Sequence, residues 1–214
     1  MHLTAAGIGK VARRALQALP LVLVLALGAA CQPAVKQPPA PGRVALAGDS
    51  LSIQGGYYGG GYGDIDITDK IGLGWQAENA HPRVSRDVAT HGTSPAVLIV
   101  ALGQNDAANG LDQTDRQQLF ALALAPADGA CTVLVKPWYV GSDTVRLRGI
   151  ADYRAWVDEM VALFPGRVHS VDWRPHAEQP GVLAADGYHL TETVGAPTYN
   201  AFIRSAPEAC GGAS

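Results

Sequence analysis

The sequence predicts an α/β domain in which a parallel sheet is covered by helices on both sides. Two short, wholly apolar runs, Val97–Leu102 (VLIVAL) and Cys131–Val135 (CTVLV), are what strands buried on both faces require. Helical patterns lie between and after them. The 214 residues suit one domain with a sizeable core, and 48% hydrophobic against 16% charged residues argues against disorder.

Residues 1–30 stand apart. Lys10, Arg13 and Arg14 precede an apolar stretch, Ala15–Ala30, that ends in small residues, which is the layout of a secretory signal. At that length the stretch is short for a membrane span. Cys31 follows directly, as in a bacterial lipoprotein signal whose Cys is lipidated, although Gly28 stands where a Leu is usual. Ordinary cleavage after Ala30 or retention as an anchor are the alternatives. Gln32–Gly42 (QPAVKQPPAPG) holds four prolines and reads as a tether, so residues 31–43 link the export signal to a domain at 44–214.

Within the domain, the first strand is expected at Val44–Ala47. Gln54–Gly63 (QGGYYGGGYG) is Gly-rich and reads as a mobile loop, without the frame of a dinucleotide fingerprint. Helices are expected at Thr114–Ala125, Val145–Phe164 and Glu192–Ser205, the last interrupted at Pro197, and a weaker strand at Val168–Val171 (VHSV). A net charge of −3, with no run of Lys and Arg in the body of the chain, excludes the usual nucleic-acid binder. The chain has three cysteines. If Cys31 carries lipid, Cys131 and Cys210 remain as a pair that an oxidising compartment would join. No His or Cys sits at ligand spacing from either, which argues against a metal site, and nothing implies an organic cofactor.

Three short clusters carry chemistry. In VALAGDSLS (44–52), the first strand runs into Gly48, Asp49 and Ser50, so that Ser50 stands at a strand end as a nucleophile would; the same residues also make ordinary turns. In ALGQNDA (101–107), Gly103 permits a tight turn and the Asn105 amide can donate to an oxyanion, or the stretch is a helix cap. In ADGYHLT (185–191), His189 suits a general base and Asp186, three residues before it, can hold the ring's other nitrogen. If the first two strands are parallel, Ser50 and Asn105 share one sheet edge, where ligands of such sheets bind. Ser52 is a competing hydroxyl, and Asp49 suits a turn-bonding role. Trp138, Tyr139 and Trp173 are either cleft or core.

The words Gly48-Asp49-Ser50-Leu51-Ser52, Gly103-Gln104-Asn105-Asp106 and Asp186-Gly187-Tyr188-His189-Leu190, in that order, resemble the SGNH/GDSL hydrolase family from about Val44 to the C-terminal helix. The resemblance implies a three-layer α/β/α sandwich with a parallel, flavodoxin-like sheet, and ester or acyl chemistry. Ser50 would attack, His189 would take its proton, and Asp186 would orient His189. The Ser50 N–H, the Asn105 side chain and a glycine N–H would form the oxyanion hole. For that glycine Gly72 and Gly74 compete, and Gly72 is favoured because it follows the apolar Ile71. The expectation is an exported serine esterase acting on an acyl, such as acetyl, ester of a lipid or envelope carbohydrate. Its partners would be that substrate and, through a lipid on Cys31, a membrane. An acyltransferase to a sugar hydroxyl and a non-catalytic binding protein are the competitors.

Overall fold

A computed structural model describes residues 42–66, 76, 80, 82–86, 95–124 and 131–211. The expectations for residues 1–30, Cys31, the Pro-rich tether, Ile71, Gly72 and Gly74 lie outside the described residues.

Five strands form one parallel sheet: β1 (Val44–Gly48), β2 (Ile65–Asp66), β3 (Val97–Ala101), β4 (Cys131–Lys136) and β5 (Val168–Asp172). Their spatial order is β2-β1-β3-β4-β5, the flavodoxin-like order. Helices among the described residues include α1 (Ser50–Tyr58), α2 (Gln104–Ala108), α3 (Gln113–Leu124), α4 (Thr144–Leu163), α5 (Arg174–Ala177) and α6 (Gly195–Ser205). A 3-10 turn, Ala206–Cys210, follows α6.

Alternation along the strands sorts the core into two layers. Leu46, Ile99, Val133 and Val135 pack with Leu51 of α1 and with Tyr199, Phe202 and Ile203 of α6. Ala45, Ala47, Leu98, Val100 and Leu134 point the other way, onto Leu119 and Leu122 of α3 and onto Tyr153, Trp156, Val157 and Met160 of α4. Both faces of every central strand are thus buried, which is why the strands read as unbroken apolar runs.

Two expectations are corrected. Gln54–Gly63 is not a loop throughout, since α1 runs to Tyr58. Asp49 caps that helix, its Oδ1 accepting from Leu51 N at 3.0 Å. Gly55 is there for closeness: a Cβ would lie 2.6 Å from Tyr62 Oη and 2.8 Å from Tyr199 Cδ1. Asn200 Nδ2 then ties the helix to its exit by donating to Gly55 O (3.2 Å) and Gly61 O (2.6 Å). Packing on α6 outweighs the poor helix propensity of the glycines. Nor does Pro197 interrupt a helix: α6 starts at Gly195, which puts Pro197 in the first turn, where its missing N–H costs nothing.

Asp49 sits under the start of α1 at 3% exposure, close to the equally buried Asp106. Burial and the charge of Asp106 outweigh the hydrogen bonds from the backbone and push the Asp49 carboxyl up from 3.8 to about 7. The cap is therefore costly to ionise. At the far end of the sheet, Cys131, the first residue of β4, is bonded to Cys210 in the terminal 3-10 turn.

The disulfide closes a loop with a sequence separation of 79. Reducing it, or substituting Cys210→Ala, should lower the unfolding free energy by about 4 kcal/mol on the loop-entropy relation. Urea titration measures this, and a loss under ~1 kcal/mol would count against the bridge as a main restraint. For Asp49, the native protein holds a proton between pH 3.8 and about 7 that the unfolded chain has released. Its contribution to stability is therefore greatest below that window, falls as pH rises through it and is level above it. Asp49→Asn, which keeps the capping oxygen, should remove that slope in urea titrations across the window. A wild-type-to-variant difference that does not change with pH would refute the raised carboxyl.

Candidate active site

The pairing of β1 with β3 sets the site. Gly48 lies opposite Ala101, so Ser50 and Gly103, each two residues further on, leave the sheet side by side at its carboxyl edge. Ser50 is the first residue of α1, where helix N–H groups have no intrahelical acceptor; Asp49 takes the one on Leu51. The Ser50 hydroxyl oxygen is buried, beside the Tyr188 phenol.

Gly103 turns β3 into α2 with φ +96°, and a Cβ there would come within 2.3 Å of the Tyr153 ring, so only glycine fits. Asn105 follows on the first turn of α2. Its Nδ2 is buried and has no partner, while its Oδ1 accepts from the Tyr188 hydroxyl at 2.5 Å. The Gln104 side chain faces the neighbouring loop, donating from Nε2 to Trp138 O at 3.1 Å.

The third segment is a tight turn. Asp186 Oδ1 accepts from the N–H groups of Tyr188 and His189, both at 2.9 Å, and its Oδ2 lies 2.7 Å from His189 Nδ1. Burial raises the Asp186 carboxyl, but the His189 ring and these two N–H groups together hold it below the usual carboxylate range. An ionised Asp186 fixes the proton on Nδ1 and leaves Nε2 as the basic nitrogen. Gly187 (φ +68°) packs hard against the loop after β4, its carbonyl accepting from Val140 N at 2.9 Å.

Both neighbours of His189 are tied to the other two segments. Tyr188 reaches Asn105, as above, and its phenol lies close enough to Ser50 for the serine to favour its anion. Leu190 N donates to Gln54 Oε1 at 3.1 Å, and Gln54 stands one helical turn beyond Ser50. The three clusters thus meet at one edge of the sheet. A direct hydrogen bond from Ser50 Oγ to the His189 ring is not made here; the imidazole is 39% exposed. Such contacts are often long before substrate binds.

Other expected residues separate. Ser52 is 1% exposed and faces Tyr199, away from the edge. Trp173 is fully buried core. Trp138 and Tyr139 line a groove of about 530 Å³ that runs past Ala184, Ala185 and Gly187 to Gln179, without Ser50, Asn105 or His189 in its wall. Among the described residues no group of three or more His, Cys, Asp and Glu could hold a metal ion, and no helix is long and apolar enough to cross a membrane. Gln54 and Tyr188 are the participants that sequence reasoning passed over. Only Gln54, four residues after Ser50, carried a signal, and it needed the helix to be seen.

No family model matches the chain, and no curated protein matches it by sequence. Solved structures do. The C-terminal catalytic domain of peptidoglycan O-acetyltransferase A from Streptococcus pneumoniae is 18% identical, with 79% of this chain and 94% of that one covered at a TM-score of 0.56. A lipase/acylhydrolase from Enterococcus faecalis is 20% identical over 76% of this chain and 93% of its own (TM-score 0.53). A protein of the G-D-S-L family from Desulfitobacterium hafniense, described as lipolytic, is 18% identical over 76% and 98% (TM-score 0.55). At these identities the likeness is one of fold, and the fold is that of the GDSL, or SGNH, hydrolases.

Proposed function

We propose that the chain is an exported serine esterase of the SGNH/GDSL type, with Ser50 as nucleophile, His189 as base and Asp186 as its orienting acid. The observation that carries this reading is the meeting of Ser50 and Asn105, on neighbouring strand ends, with the Asp186–His189 pair, whose carboxylate and ring nitrogen lie 2.7 Å apart.

In the reaction, Nε2 of His189 takes the Ser50 proton as Oγ bonds to the acyl carbon. The resulting oxyanion lies between the Ser50 N–H at the start of α1 and Asn105 Nδ2. Collapse breaks the ester bond, and the same nitrogen returns the proton to the departing alcohol. Water, activated by His189, then releases the acid and restores Ser50. Gly72 is the proposed third donor. The export signal and a lipid on Cys31 would place the enzyme at the cell envelope.

A second reading, acyl transfer to a sugar hydroxyl, is favoured by the likeness to the peptidoglycan O-acetyltransferase domain. The chemistry up to the acyl-enzyme is identical; only the acceptor differs.

Hydrolysis of a chromogenic acetate ester tests both. Ser50→Ala should lower kcat by at least about 10³-fold, and Asp186→Asn, which stabilises the wrong tautomer, by about 10²- to 10⁴-fold. With a sugar acceptor present, esterase action gives free acetate and transfer gives acetylated sugar. Equal, negligible rates for wild type and Ser50→Ala would refute the enzymatic reading.

A further inference from the structure

We propose that Tyr188 is a positioning residue for the oxyanion hole: its hydroxyl holds the Asn105 carboxamide so that Nδ2, not Oδ1, faces the developing charge. This rests on the serine-esterase reading above and concerns a residue that reading does not use.

An asparagine amide has two nearly isosteric ends of opposite character. Turned one way, Asn105 stabilises an oxyanion; turned the other, its carbonyl oxygen repels it. The backbone of α2 carries the side chain to the edge but does not choose between the two. The choice needs a group that donates to Oδ1, and Tyr188 is that group, at 2.5 Å. With Oδ1 so held, Nδ2 is left buried and unpartnered.

The surroundings favour the phenol as donor. The guanidinium carbon of Arg146 lies 4.7 Å from the centre of the Tyr188 ring and 5.2 Å from that of Tyr139. A cation over the ring draws electron density from the hydroxyl and sharpens it as a donor. Burial and the charge of Asp49 nonetheless push the phenol up to about 12, so that it keeps its proton at neutral pH. The Tyr188 ring is 5% exposed, and the His189 ring packs edge-on against it, centroids 4.4 Å apart. One residue therefore sets the amide and flanks the base.

The test is a double-mutant cycle on hydrolysis of a chromogenic acetate ester. Tyr188→Phe keeps the ring under Arg146 and removes only the hydroxyl. It should lower kcat about tenfold with KM within about twofold of wild type, because the lost interaction acts on the transition state. Asn105→Ala should cost about 100-fold. Y188F/N105A should be no slower than N105A alone, within about twofold, since the hydroxyl has nothing left to orient. A phenol that donated to the oxyanion itself, or that merely held the fold, would slow N105A further, and either result overturns the proposal. So does an unchanged kcat in Y188F. Should Y188F not fold, 3-fluorotyrosine at position 188 keeps ring and hydroxyl while making the donor more acidic. A change in kcat at constant KM supports the assignment, and no change overturns it. A wild-type protein inert towards the ester would instead remove the esterase reading.

Discussion

The in-register pairing of β1 with β3 is the constraint from which the site follows. Because Gly48 faces Ala101, the chain leaves both strands at one height, and two helices begin next to each other. A slip of one residue would turn Leu46 and Ile99 to the opposite layer and move Ser50 out of line with Asn105. The apolar alternation that builds the core therefore also places the chemistry. Everything the third segment contributes depends on this edge, since Tyr188 and Leu190 anchor to residues that the two strands deliver.

The electrostatics of the edge are built from opposed costs. Asp186 is held ionised by its neighbours, whereas Asp49, buried and near Asp106, is held towards its neutral form. A carboxyl so held lets Asp49 cap α1 with less than a full negative charge near neutral pH. That arrangement suits a site where negative charge is to develop on a substrate oxygen beside Ser50. The helix start, with its outward N–H groups, contributes in the same sense.

What the sequence made legible was local. Gly-Asp-Ser at a strand end and Asp-Gly-Tyr-His in one turn are short words whose geometry is set within a few residues, and the apolar runs of β3 and β4 could hardly be anything but buried strands. The parts that escaped are those decided at a distance. The helical state of Gln54 and Gly55 comes from contact with Tyr199 and Asn200, nearly the whole domain away. Pro197 falls in a first turn because α6 begins later than its apolar pattern does. The bond from Tyr188 to Asn105 spans 83 residues, and no spacing rule announces it. The glycine expected to complete the oxyanion hole belonged to a weak word, and neither Gly72 nor Gly74 is among the described residues.

The central claim is that Ser50, rather than any other hydroxyl, is the group this edge activates. Reaction of the protein with a serine-directed phosphonate, followed by peptide mapping, tests it most directly. One covalent adduct on Ser50, abolished by denaturation beforehand, is the predicted result; an adduct on Ser52 or elsewhere, or no adduct at all, would contradict it.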